Sequence, residues 1–292
     1  MSSSKERLDI LVTSLGIFNS REASKRAIMA GIVLVNDEVV DKAGTKIATD
    51  AKIRIKGEVM PYVSRGGYKL EQAIKEFNLD LTGKIIIDVG ASTGGFTDCA
   101  LQNGAVMSYA VDVGYNQLAW KLRQDERVLS MEKINFRYIS SEDLKYGVPE
   151  FACMDVSFIS IKLLLPVLKE LLSTTGEIVA LIKPQFEAGR SHVGKKGIVR
   201  SMLVHQNVIT DIVTFIRDIG LVPLGLTFSP IKGGGGNIEF LIHIGRAGED
   251  FVTDLLISEV VKAAHESFRL CEPTHDVKVG STNREVEFLL RR

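Results

Sequence analysis

The chain has little cysteine: only Cys99, Cys153 and Cys271 occur in 292 residues. The number is odd and no two cysteines form a C-x-x-C pair. That argues against a disulfide framework and against the usual zinc spacings, so no metal site is expected, and a reducing compartment fits best. An excess of charge of one sign is also missing, since 36 Lys and Arg face 36 Asp and Glu. Coating nucleic acid by bulk charge is thereby disfavoured, but a local basic face is not. No run approaches ~18 uninterrupted apolar residues, the length a membrane helix needs. The most apolar stretch, 158–172, is broken by Lys162, Pro166, Lys169 and Glu170. The first residues, Met1 to Asp9, are polar and lack the apolar core of a secretory signal. We therefore expect a cytoplasmic protein with no membrane partner.

What is present is an ordinary globular balance, 45% hydrophobic and 25% charged, in a chain long enough for two domains. Two regions differ in rhythm. The first has short elements. Leu8, Leu11, Val12, Leu15 and Ile17 predict one helix; Ser20 is a helix cap for a second, marked by Ala23, Ala27, Ile28 and Ala30 and closed by Gly31. Residues 32–35 read as a strand, Asn36-Asp-Glu38 as a turn, Val39-Val40 as the return strand and 52–56 as a half-exposed strand. Residues 57–67 read as a linker, interrupted by Pro61 and the pair Gly66-Gly67, with Arg65 free of apolar company.

From Lys69 onward, buried strands alternate with helices. Strands are predicted at 85–88, 106–112, 128–131, 151–156, 177–182, 221–228 and 238–244. Helices are predicted at 95–103, 161–172, 203–219 and 250–268. This order describes a doubly wound, mostly parallel sheet of seven strands, a Rossmann-like α/β fold behind a small α+β domain. The boundaries expected are 1–57, a linker 58–67, 68–270 and an unassigned tail 271–292.

The chemistry gathers at predicted strand ends. Asp88-Val-Gly-Ala-Ser-Thr-Gly-Gly-Phe96 follows the first strand of the larger region. Glycines at a strand-to-helix turn let the backbone approach a ligand, and the helix start offers free N–H groups. Asp112 closes the next strand, where a carboxylate can accept both hydroxyls of an adenosine ribose. A dinucleotide site uses the same logic. Two details favour S-adenosylmethionine: the spacing Gly90-x-x-x-Gly94-Gly95 departs from G-x-G-x-x-G, and Asp88 suits an amino-bearing cation better than a pyrophosphate. Lys69, Asp155, Lys183 and Glu239 fall at strand ends or just ahead of the fold. A lysine closing a buried strand is costly unless it is paired or functional.

Two stretches carry a family resemblance. Arg7-Leu-Asp9, the segment from Ser20 to Ile28, Gly31 and Val33-x-Val-Asn36 resemble the S4 RNA-binding domain, which implies that Arg7, Arg21, Lys25 and Arg26 meet RNA phosphates. Ser64-Arg-Gly-Gly-x-Lys69, Asp88 to Phe96, Asp155-Val-Ser-Phe158 and Lys183-Pro-Gln-Phe-Glu187 resemble the FtsJ-type 2′-O-ribose methyltransferases with their Lys-Asp-Lys-Glu tetrad. Residues 5 to 268 together resemble the TlyA family of ribosomal RNA methyltransferases, historically labelled hemolysins. The resemblance implies S-adenosylmethionine as cofactor, held by Asp88, Gly90, Ala91, Ser92, Thr93, Gly94, Gly95, Phe96, Asp112, Asn135 and Phe158. It implies ribosomal RNA or ribosomal subunits as partner, with cytidine riboses as targets. Lys183 would take up or orient the 2′-hydroxyl proton, with Lys69, Asp155 and Glu239 completing the catalytic set. No metal is needed, because the leaving group becomes neutral.

Arg65, Arg190, Lys195 and Lys196 are further candidate RNA contacts, the last three in a glycine-punctuated basic loop with His192 and Arg200. Phe158 and Trp120 read more readily as packing residues. Three competing readings are a membrane-active hemolysin, a non-catalytic RNA-binding or ribosome-assembly factor, and a dinucleotide oxidoreductase. The first lacks a signal or a span, and the intact tetrad and glycine loop argue against the second.

Overall fold

The computed structural model describes residues 4–18, 20–56, 60–270 and 285–287; Cys271 and most of the tail lie outside them. The chain divides into a small unit, residues 1–61 with 274–292, and a large unit, residues 62–273.

In the small unit, β1 (Lys5–Arg7) leads into α1 (Leu8–Ser14) and α2 (Arg21–Met29), followed by β2 (Val33–Val35), β3 (Glu38–Val39), β4 (Lys46–Ala48) and β5 (Ile53–Lys56). Ser20 caps α2 by accepting from the Ala23 N–H, satisfying a donor that the first helical turn leaves free. Asn36 and Asp37 both take positive φ between the paired residues Val35 and Glu38. That is the turn whose twist matches an antiparallel hairpin, and Asn and Asp tolerate it better than other side chains. Leu8, Val12, Ile28, Val33, Ile53 and Ile55 form its core.

The large unit opens with α3 (Gly66–Glu76). It continues through β6 (Ile85–Val89), α4 (Gly95–Gln102), β7 (Met107–Asp112), α5 (Trp120–Arg123), β8 (Val128–Glu132), β9 (Phe151–Met154) and α6 (Leu165–Leu171). β10 (Glu177–Ile182), α7 (Pro184–Glu187), α8 (Met202–Asp218), β11 (Val222–Phe228), β12 (Phe240–Gly245) and α9 (Asp254–Leu270) complete it. A last short strand, β13 (Glu285–Glu287), pairs antiparallel with β5 of the small unit.

The seven-stranded sheet runs β11-β12-β10-β9-β6-β7-β8. β12 is antiparallel to both neighbours; β10, β9, β6, β7 and β8 pair in parallel. Alternate residues serve opposite faces, as the pleat requires. Ile87, Val89, Tyr109 and Val111 pack with Leu165 and Leu168 of α6, Ile212 of α8 and Val261 of α9. Ile86, Ala110, Cys153 and Val179 pack with Leu70 and Ala73 of α3 and Cys99 and Ala100 of α4. Burial on both faces is why these strands read as unbroken apolar runs. Cys99 and Cys153 are free thiols in that second layer.

Three local expectations are corrected. Gly66 and Gly67 do not interrupt structure; they form the first turn of α3, where Gly67 is pressed against the Tyr62 ring. The helix expected over 161–172 is a short 3-10 turn and then α6, because Pro166 has no N–H to continue a ladder and sits in the first turn of a new helix. Glu239 precedes β12 rather than lying in it. The Asn237 side chain bonds to backbone at Gly197 and Val199, and the ladder starts only beyond that anchor.

Candidate active site

One edge of the sheet collects the charged residues. β9 and β10 end there, and Asp155 and Lys183 are the next residues along the chain. β12 runs the other way, so its start lies at the same edge and brings Glu239 beside them. α3 packs against this layer and supplies Lys69 from the end of its first turn. Lys69 Nζ donates to Glu239 Oε2 at 2.8 Å and to Asp155 Oδ2 at 3.2 Å. Lys183 Nζ stands 2.6 Å from Asp155 Oδ1 and donates to Ser157 Oγ at 3.0 Å. Gln185 Nε2 reaches Glu239 Oε1 at 3.5 Å. The four residues predicted from sequence therefore meet in one network, in which each Asp155 oxygen answers a different lysine.

The electrostatics follow from this pairing. Burial alone would weaken the Lys69 ammonium, but the Asp155 and Glu239 carboxylates outweigh it and raise its pKa. Burial alone would also favour a neutral Asp155, but Lys69 and Lys183 outweigh it and hold the carboxyl below its ordinary range. The result is a fixed ammonium and a fixed carboxylate at the floor of a cleft of about 340 Å³, lined by Arg65, Asp88, Ser92, Lys232 and the tetrad among others.

A second cavity, of about 410 Å³, adjoins the cleft and is lined by Asp112, Gln117, Asn135, Arg137, Phe158 and others. Gly90, Ser92, Asp155 and Ser157 line both. Gly90 takes φ +85°, and a Cβ there would come within 2.8 Å of the Asp155 carbonyl oxygen; only glycine lets the loop pass so close to β9. Asp112 accepts from the Ser92 N–H at 2.7 Å and from the Gly114 N–H at 2.6 Å, which fixes its carboxylate at the cavity rim. Asn135 lines the same cavity while its oxygen caps a 3-10 turn at Arg137.

Asp88 is buried and accepts from the Thr97 N–H and hydroxyl through Oδ2, while its Oδ1 has no hydrogen-bond partner among the described residues. Burial pushes its pKa up to about 7, with the Thr97 hydrogen bonds opposing the shift. A buried carboxylate oxygen left unpaired on a cleft wall is the group a ligand ammonium would satisfy. The donor set thus fits S-adenosylmethionine: Asp112 for ribose hydroxyls, the open loop at Gly90, Ala91 and Ser92, and Asp88 for a cationic amine.

Some predicted residues sit otherwise than expected. Gly94 faces away from the cleft, where a Cβ would strike Leu118 and Leu122; its positive φ ends the loop and starts α4. Ala91, Thr93, Gly95 and Phe96 do line the cleft. Phe158 is no core aromatic: it is 90% exposed with φ +65° and its ring lies 5.0 Å from that of Phe186. Trp120 is exposed as well. Arg7 and Arg21 both donate to the fully buried Asp9, so these guanidinium groups already hold the first helix pair together. Lys25 pairs with Glu22, and Arg26 is exposed. Arg190, Lys195 and Lys196 are exposed on the basic loop. Sequence reasoning missed Ser157, which holds Lys183 and lines both cavities, although it lies inside a motif already singled out. Among the described residues no cluster able to hold a metal ion occurs, and no helix is long and apolar enough to cross a membrane.

The FtsJ-like methyltransferase family model matches residues 62–246, and the S4 domain model matches residues 6–53. YqxC of Bacillus subtilis is 55% identical over 274 residues, spanning 92% of this chain and 97% of that protein. The 16S/23S rRNA (cytidine-2′-O)-methyltransferase TlyA of Mycobacterium tuberculosis is 35% identical over 241 residues, spanning 82% and 90%. A solved structure from Streptococcus thermophilus shares 51% identity with a TM-score of 0.73, over 93% of this chain and 99% of that one. The chain belongs to the FtsJ-like methyltransferase family of S-adenosylmethionine-dependent RNA-modifying enzymes, in the group that carries an S4 domain ahead of the catalytic one.

Proposed function

We propose that the chain methylates ribose 2′-oxygens of ribosomal RNA, with cytidine as the target nucleoside. The observation that carries this reading is Asp155 held between Lys69 and Lys183 in a cleft that adjoins the Asp112 cavity. The S4 match and the named activity of the TlyA relative support RNA, and ribosomal RNA in particular. The ribosome as substrate implies action in the cytoplasm.

A ribose hydroxyl is a weak acid and a poor nucleophile at neutral pH. S-adenosylmethionine, when bound, supplies a methyl group on a cationic sulfur that leaves as a neutral thioether. Lys183 meets the 2′-hydroxyl and, as the free amine, takes its proton onto Nζ as the oxygen attacks. Asp155 and Ser157 fix where that nitrogen stands. Lys69 stays an ammonium between Asp155 and Glu239 and favours negative charge developing on the oxygen. Asp112, Asp88, Asn135 and the loop from Gly90 to Ser92 would hold the cofactor, with Phe158 at the outer wall of the Asp112 cavity. Arg65 at the cleft wall and Arg190, Lys195 and Lys196 on the basic loop would hold RNA phosphates, with Lys25 and Arg26 as contacts in the small unit.

The test is methyl transfer from labelled S-adenosylmethionine to unmodified small and large ribosomal subunits, with Lys183→Ala in parallel. Label mapped to a cytidine 2′-oxygen and lost in the variant is the expected result. Cofactor binding without label on either subunit would refute the ribosomal substrate. Neither binding nor label would favour a non-catalytic assembly factor.

A further inference from the structure

Beyond the segment 232–236 lies another cavity, of about 510 Å³, lined by Arg200, Lys232, His265, Phe268 and Arg269 and by the Gly235–Gly236 backbone. Lys232 lines this cavity and the catalytic cleft alike, and the glycines that follow it divide between the two. The partition between the two spaces is thus Lys232 and a stretch of glycine backbone.

Among the described residues the lining contains three cations, Arg200, Lys232 and Arg269, and no carboxylate. Lys232 Nζ stands 5.4 Å from the centroid of the Phe268 ring. His265 contributes a further polar group whose state can be worked out. His205 is fully buried, with Nε2 3.2 Å from the Val199 carbonyl oxygen and Nδ1 2.9 Å from His265 Nε2. A carbonyl only accepts, so His205 carries its proton on Nε2 and accepts at Nδ1; His265 therefore donates from Nε2. Burial and the neighbouring Arg269 both keep His265 from gaining a second proton.

The cavity is also tied to the tetrad. Asn237 accepts from the Val199 N–H at 2.9 Å and donates to the Gly197 carbonyl at 2.9 Å. It joins the segment leading to Arg200 to the segment leading to Glu239. We propose that this cavity is a phosphate subsite for the RNA strand, seating a phosphodiester that neighbours the nucleotide whose ribose enters the cleft. The assignment rests on the RNA methyltransferase reading. It names Arg200 and Arg269 as phosphate contacts, which position the strand without reading its sequence.

The experiment uses the full chain, Arg200→Ala, Arg269→Ala and Arg200→Lys, with unmodified ribosomal subunits and labelled S-adenosylmethionine as probes. Each alanine variant is expected to raise the KM for subunits about tenfold and to lower the slope of log affinity against log salt by roughly one. The kcat at saturating RNA and the cofactor affinity stay within about twofold, and Arg200→Lys recovers most of the loss, since a phosphate needs only a cation. Alanine variants with the unchanged KM and salt slope, beside an active wild type, would overturn the subsite alone. A wild type that neither binds nor methylates subunits would overturn it together with the function. Pyrophosphate that occupies the wild-type cavity at micromolar concentration without competing with subunits would assign it to a small free anion and overturn the RNA path.

Discussion

Gly233 stands where any side chain would collide with the carboxylate of Glu239. The glycine is required there by close approach, since its φ of −73° is open to every residue. A methyl group must push Glu239 off Lys69. Gly233→Ala is therefore expected to keep its fold and cofactor affinity while the single-turnover methyl-transfer rate drops ten- to hundredfold, the order seen when a catalytic group is misplaced by about 1 Å. A variant with the wild-type rate would show that the Glu239–Lys69 bond does not matter to the reaction.

In the proposed mechanism Lys183 must accept a proton, whereas Lys69 needs only to stay charged. Arginine preserves charge but does not lose its proton in a protein. Lys183→Arg is accordingly expected to be as inactive as Lys183→Ala, roughly a hundredfold or more below wild type. Isothermal titration should find cofactor affinity preserved in both. Substantial transfer by the arginine variant would remove Lys183 from the role of base.

Asp88 gives a pH dependence with a definite sign. Its carboxyl, raised to about 7 by burial, is neutral below that pH and offers a ligand ammonium little; above it the carboxylate is present. Affinity for S-adenosylhomocysteine, which carries the same amine, is expected to rise by up to about 25-fold between pH 5.5 and 7.5, following the ionised fraction of the carboxyl. Calorimetric titration across that window should show the rise in the wild type and a flat, weaker profile in Asp88→Asn. An identical profile in the variant would place the amine elsewhere.

Asp9 concerns the small unit. Hydrogen bonds from Arg7, and then from Arg21, hold its carboxyl at about 2 against the opposing effect of burial. A depressed carboxyl stabilises the fold above its unfolded pKa near 4 and loses that contribution as pH falls toward 2. At neutral pH, Asp9→Asn should speed hydrogen exchange in α1 and α2 roughly ten- to a hundredfold and leave β6 to β10 unchanged. Unaltered exchange in α1 and α2 would mean that the two arginines are held by something other than this carboxylate.

The sheet was legible because its strands are buried on both faces and end in acids and glycines, a pattern set by local chemistry. Ser20 was legible as a cap for the same reason, and Asp112, Asp155 and Lys183 because each directly follows a run of apolar residues. Glu239 was placed at the site but inside the strand, since nothing in the sequence shows that Asn237 ties the chain to residues 197 and 199. Phe158 was read as a packing residue because aromatics usually are buried; its exposure depends on a positive φ that sequence pattern does not reveal. The basic cavity was invisible in one dimension. Its cations come from segments near 200, 232 and 269 that meet only when α8, β12 and α9 are packed.

The wall shared by the catalytic cleft and the Asp112 cavity has a practical consequence for inhibitor chemistry. Gly90, Ser92, Asp155 and Ser157 border both spaces, so these residues alone stand between a ligand in one and a ligand in the other. A single molecule joining an adenosine to a ribose through a short tether would engage Asp112 and Lys183 at once. Its second half would bind at the high effective concentration set by the tether. Selectivity over other adenosine-binding folds would then reside in the half directed at the two lysines.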